Sequence, residues 1–169
     1  MRRLKFAECI AAIGSLALVL ILTVAPIGAQ AQGLRKIAAV SAIASPTAVS
    51  PGGAGELVIS VRIPQGFHVN CAKPTDPSLI PTTFAPSSSP GLKFGAAHYP
   101  KSVMVKPAGS TTAIPVYVGS VKITVPFKVA RAAKAGKLAV AGTLTYQACN
   151  LLSCYPPVSD PVGASIAVK

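Results

Sequence analysis

The chain has no tryptophan, only two histidines, and four acidic residues against 16 Lys and Arg in 169 positions. Each scarcity excludes a chemistry. A glycosidase needs two carboxylates converging on one bond. Here Glu8 lies near the start of an apolar run, and Glu56, Asp76 and Asp160 are far apart in sequence. His68 and His98 are the only imidazoles and there is no H-E-x-x-H, which argues against a histidine-rich zinc site. G-x-S-x-G, the Walker loop and G-x-G-x-x-G are also missing, so hydrolase, nucleotide-phosphate and dinucleotide chemistries have no motif to rest on. Aromatic residues make up 5% of the chain, and its net charge of +12 is carried by dispersed lysines such as Lys93, Lys101, Lys106, Lys122, Lys128, Lys134 and Lys137. That pattern speaks against a nucleic-acid partner. A solvated basic surface is expected, with attraction to acidic partners or an anionic membrane surface as a secondary use.

A hydrophobic content of 51% is high, and much of the excess lies in the first thirty residues. Arg2, Arg3 and Lys5 precede an apolar run from Ile10 to Val24, and Ala29-Gln30-Ala31 is a small-x-small cleavage pattern. This is the layout of a secretory signal peptide. The run is shorter than the ~20 residues of a spanning helix. The expectation is cleavage after Ala31 and export to the periplasm, with no stable membrane insertion afterwards. An uncleaved anchor is the alternative. Cys9 would leave with the signal.

The remainder reads as strands and turns. Leu57, Ile59, Val61 and Ile63 alternate with Val58, Ser60, Arg62 and Pro64. Val121, Ile123, Val125, Phe127 and Val129 alternate with Lys122, Thr124, Pro126 and Lys128, and Leu138, Val140, Leu144 and Tyr146 share one parity. Period two marks a strand with one buried face. Shorter strands are predicted at 36–41, 114–118 and 164–168, and Ala130–Gly136 as a helical turn or loop. The pattern predicts an all-β fold, an immunoglobulin-like antiparallel β-sandwich over 46–169, preceded by a partly disordered segment at 32–45.

Three cysteines lie beyond the signal: Cys71, Cys149 and Cys154. Export places them where disulfides form. Cys149 and Cys154 are the natural pair, because four intervening residues suit a hairpin loop. Counting by twos from Thr143 puts Cys149 on the polar parity, away from Leu144 and Tyr146, so an exposed, attackable sulfur is expected there. So short a ring contributes only about 2 kcal/mol. On the residues alone, a redox-active bridge and a structural one are both open.

Tyr146-Gln147-Ala148-Cys149, four residues, then Cys154-Tyr155-Pro156-Pro157 resembles the active-site stretch Y-Q-x-C, short spacer, C-x-P-P of the N-terminal periplasmic domain of the DsbD thiol:disulfide interchange family. Pro64-Gln65-Gly66-Phe67-His68-Val69-Asn70, Lys73-Pro74 and Leu79-Ile80-Pro81-Thr82 are similar to another segment of that domain, and the likeness spans roughly 45–169. It implies an immunoglobulin-like domain with Cys149 and Cys154 as a reversible redox pair, needing no metal or organic cofactor. It implies a protein-disulfide reductase component. Its partners would be thioredoxin-like redox proteins fed by a membrane electron transporter. The best-known members carry this domain on a multi-span protein with a C-terminal thioredoxin-like domain. These 169 residues contain neither, so a free-standing module, an uncleaved tethered one or a domain paired with separately encoded partners is expected.

Two departures stand out. The spacer is one residue shorter than in the best-known member. The stretch after Asn70, which corresponds to a shielding cap loop rich in aromatics, reads Cys71-Ala72-Lys73-Pro74-Thr75-Asp76. Cys71 is therefore expected either as a third, partly exposed thiol near the pair or as a small buried residue. His68 and Asp76 are candidates to tune a thiolate, and Tyr155 to lie against the disulfide. A rival reading is a non-enzymatic exported binding module with a structural disulfide. A variant of it is a Cu(I)-handling protein using all three cysteines.

Overall fold

A computed structural model describes residues 36–169. The expected signal peptide, its cleavage point and Cys9 lie outside the described residues. In chain order the strands are β1 (Ala39–Ser45), β2 (Ala48–Val49), β3 (Ala54–Arg62), β4 (His68–Asn70), β5 (Thr83–Pro86) and β6 (Leu92–Phe94). They continue with β7 (Val103–Val105), β8 (Ile114–Tyr117), β9 (Ser120–Val129), β10 (Gly136–Tyr146), β11 (Ala148–Cys149) and β12 (Val158–Val168). No helix occurs among the described residues.

The strands with the longest alternating patterns carry the sandwich. One sheet has the order β1-β3-β9-β6 and a second the order β2-β12-β10-β5. In the first, β3 runs antiparallel to β9 from Ala54↔Lys128 to Arg62↔Ser120, so Leu57, Ile59, Ile123 and Val125 share one face. In the second, β10 pairs β12 from Gly136↔Val168 to Tyr146↔Val158. Val140, Leu144 and Ile166 complete the core, each 1% exposed or less. Burying one such side chain contributes roughly 1.5–3 kcal/mol. The fold is the expected all-β, immunoglobulin-like sandwich.

A third sheet, β11-β4-β8-β7, was not foreseen as a unit. Its strands are two to four residues long, too short for alternation to be visible in sequence. The strand expected at 36–41 is found as β1, starting later and running on to Ser45 through the segment expected to be partly disordered, and it pairs with β3 along its whole length, Ala39↔Arg62 to Ser45↔Glu56. Of the two alternatives for Ala130–Gly136, a helical turn or a loop, the chain takes the loop; the Ala133 N–H donates to the Ala130 carbonyl at 3.0 Å and the chain turns directly into β10.

Candidate functional site

The site grows from the end of β10. Tyr146 is fully buried, and its hydroxyl lies 3.2 Å from Asp160 Oδ2 and 3.3 Å from the Ala38 carbonyl. Burial, then the neighbouring carboxylate, pushes the phenol well above its ordinary pKa. Lys36 Nζ sits 3.0 Å from the same carboxylate oxygen. This cluster ends the strand in the core sheet. One residue later the chain has joined the third sheet, with Ala148 opposite Val69 and Cys149 opposite His68.

The hairpin that follows is set by local chemistry. Asn150 Oδ1 accepts from the backbone N–H of Leu152 and of Ser153, both at 2.8 Å, closing a tight Asx turn. The Asn150 N–H donates to the Ser153 carbonyl and the Tyr155 N–H to the Ala148 carbonyl, both at 2.9 Å. Those bonds flank Cys149 and Cys154 and make them a non-hydrogen-bonded antiparallel pair, the type whose side chains face each other most closely. Their Cα atoms are 3.9 Å apart and their sulfurs are bonded.

Exposure is unequal, and not as parity suggested. Cys149 is 1% exposed, whereas Cys154 is open to solvent. Alternation does point Cys149 away from the main core. Val69, Cys71, Tyr117 and Ala148 belong to that core, and His68, Asn70 and Cys149 take the opposite face of the third sheet. That second face is itself covered, leaving His68 3% and Asn70 0% exposed.

The covering is held by Gln147 and Asn70. Asn70 Nδ2 donates to the Ile80 carbonyl at 3.0 Å and to Gln147 Oε1 at 3.1 Å. The Ile80 N–H donates to the same Oε1 at 3.3 Å, and Gln147 Nε2 donates to the Tyr155 carbonyl at 3.1 Å. One amide thus joins the 71–82 segment, β4 and the chain just beyond Cys154. A second loop reaches the hairpin from the other side: the Ala108 N–H donates to the Leu151 carbonyl at 2.8 Å.

The sequence candidates separate. His68 is brought directly opposite Cys149, and burial lowers its pKa, keeping it neutral near pH 7. The Tyr155 ring packs against Phe67, with centroids 5.9 Å apart. Asp76 is exposed and turned onto its own loop, accepting from the Ser78 N–H at 2.8 Å and hydroxyl at 2.7 Å, which hold its carboxyl below the usual range. Cys71 is a free thiol only 4% exposed, the small buried residue that was one of the two expectations for it, and not a partly exposed third thiol. Its face is the one opposite Cys149, and the three sulfurs expected of a Cu(I) site do not converge. Among the described residues no three His, Cys, Asp or Glu side chains group as metal ligands.

Sequence reasoning missed Phe67, Asn70 and the loop bearing Ala108. It also passed over Leu151 and Leu152, which are 52% and 85% exposed at the hairpin tip. Two leucines in a four-residue turn were the available signal, since turns favour Gly, Asn, Asp and Ser.

The site can undergo thiol–disulfide exchange, because a bonded sulfur pair presents one sulfur to solvent. The N-terminal periplasmic domain of ScsB from Proteus mirabilis shares 17% identity and the same fold, with a TM-score of 0.54 over 78% of this chain. The present chain spans 49% of that one. The reduced N-terminal domain of DsbD from Neisseria meningitidis matches at 18% identity over 67% of this chain and 82% of its own, with a TM-score of 0.39. No curated protein is matched. Residues 36–164 match the family described as thiol:disulfide interchange protein DsbD, N-terminal. A β-sandwich ending in a Y-Q-x-C hairpin with its two cysteines bonded, matched over nearly all its described length, belongs to the DsbD N-terminal domain family.

Proposed function

We propose that this domain carries electrons between redox proteins in the periplasm through reversible reduction of Cys149–Cys154. The observation that carries this reading is the unequal exposure of the two sulfurs. A partner thiolate attacks Cys154 Sγ. The Sγ–Sγ bond breaks, and its electron pair leaves on Cys149 Sγ. A second partner thiolate then attacks the mixed disulfide at the partner's own sulfur and releases Cys154 as a thiolate. Two protons from solvent neutralise the thiolates. The partner is now a disulfide and this domain a dithiol, so two electrons have moved. Delivery to an acceptor runs the same steps backwards, with Cys154 as the attacking thiolate. His68, opposite Cys149 in the ladder and neutral near pH 7, is suited to receive the Cys149 thiol proton. Thioredoxin-like proteins are the fitting partners, because they present a single accessible thiolate. A membrane electron transporter is the fitting upstream source.

Two measurements test this. The reduction potential should fall between about −180 and −270 mV, the range of exchange catalysts. A value below about −300 mV belongs to structural disulfides and would return the domain to the binding-module reading. Cys149→Ser should leave a reactive Cys154 that alkylates rapidly and forms mixed disulfides with small thiols. Cys154→Ser should leave a protected Cys149. Equal alkylation rates for the two variants would remove the assigned order of attack.

A further inference from the structure

The end of the sandwich farthest from the disulfide is strongly basic. The hairpin lies at the Tyr146↔Val158 end of the β10–β12 pair, and the opposite end is Gly136↔Val168. An 11-residue strand separates the two by roughly 35 Å. Lys93, Lys128, Arg131, Lys134, Lys137 and Lys169 gather at the far end, all exposed. Two grooves lie side by side there, one lined by Lys93, Lys128 and Arg131 and the other by Lys134 and Lys137. Both are bordered by Gly91 and Ala130, joined by a 2.8 Å backbone hydrogen bond.

Two features single out this cluster. Lys93 and Lys128 stand directly opposite each other on β6 and β9, a like-charge pairing that destabilises a sheet. Acid is scarce: among the described residues Glu56, two positions along β3 from the Ala54 that faces Lys128, is the one acidic side chain on this half of the sheet, and no ion pair to it is found among them. A fold that keeps unneutralised cations together here is suited to an external anion.

We infer that this basic pole docks on an anionic lipid bilayer and holds the disulfide hairpin pointing away from it, toward soluble partners. The composition favours a bilayer over a protein. Specific protein interfaces centre on aromatic or arginine anchors and are depleted in lysine. Here five of the six cations are lysine, and none of the exposed large hydrophobic side chains lies in 90–94 or 128–138. Flexible, separately hydrated charges suit a diffuse layer of headgroup phosphates. Because the poles are several Debye lengths apart, charge at the hairpin end contributes little to this attraction.

The test is sedimentation of the full chain with phosphatidylglycerol–phosphatidylcholine vesicles and with pure phosphatidylcholine vesicles, at low and high salt. The readout is the excess binding to the anionic vesicles. It should be present at low salt and vanish at high salt. Arg2, Arg3 and Lys5 beside the apolar N-terminal segment also favour anionic vesicles, so the deciding comparison is between wild type and variants that all keep that segment. The triple variant Lys128→Gln, Lys134→Gln, Lys137→Gln should lower the anionic partition on the order of 100-fold. Lys73→Gln, Lys101→Gln, Lys122→Gln removes the same charge elsewhere and should lower it only a few-fold. Equal losses in the two triples would mean that net charge, not this pole, is responsible. No excess on anionic vesicles, alone or together with tight binding to polyglutamate, would overturn the bilayer and in the second case point to an acidic protein.

Discussion

At the scale of single residues, burial sets the chemistry around the disulfide. The His68 imidazole is held below its ordinary 6.5 because burial penalises the charged form. The unfolded chain therefore takes up a proton near that value and the folded chain does not. Stability is complete above about 6.5 and is lost as pH falls below it. The expected outcome is a melting temperature that is flat near neutrality and declines on the acid side, with His68→Gln removing most of that decline above pH 5. Asp76 acts in a separate window, below its ordinary 3.8, where protonation ends the bonds from Ser78. Tyr146 is the other buried polar anchor. Tyr146→Phe removes one of the two partners of Asp160 Oδ2, leaving Lys36, and should cost about 1–3 kcal/mol in urea unfolding, with the alkylation rates of the cysteines unchanged.

At the scale of elements, close approach between strands decides what is tolerated. Gly142 of β10 lies under the Phe84 ring of β5, and a Cβ there would also come within 2.5 Å of the Ala85 carbonyl. Gly142→Ala should destabilise by about 1–3 kcal/mol, read as a lower urea midpoint at unchanged slope. A midpoint equal to wild type would show that β5 can lift away freely. The short strands teach a different lesson. Alternation revealed β3, β9 and β10 because each has nine or more residues with one face in the core. It could not reveal β4 or β11, which span three and two residues and are buried on both sides. A strand covered twice has no polar parity to read.

At the scale of the whole molecule, an electron carrier must be folded in both redox states. The core of this domain is independent of the bridge, and opening so short a ring should lower stability by only about 2 kcal/mol. Reduction should therefore leave near-ultraviolet circular dichroism largely intact and shift the urea midpoint modestly. Loss of cooperative unfolding on reduction would mark the disulfide as a structural staple.

The sequence by itself determined the sandwich, the cysteine pair and the family, because period-two burial and the Y-Q-x-C…C-Y-P-P hairpin are local patterns written along the chain. Tertiary structure decided which sulfur meets solvent. Parity reports only the direction of a side chain relative to one sheet. Whether that direction ends in water depends on segments distant in sequence, here the 71–82 segment tied through Ile80, Asn70 and Gln147 and the loop joined through Ala108 to Leu151. The same holds for Cys71, whose burial follows from its packing with Val69 and Tyr117. It holds too for Lys93, Lys128, Lys134 and Lys137, dispersed along the chain and gathered at one pole only when β6, β9 and the turn into β10 are brought together.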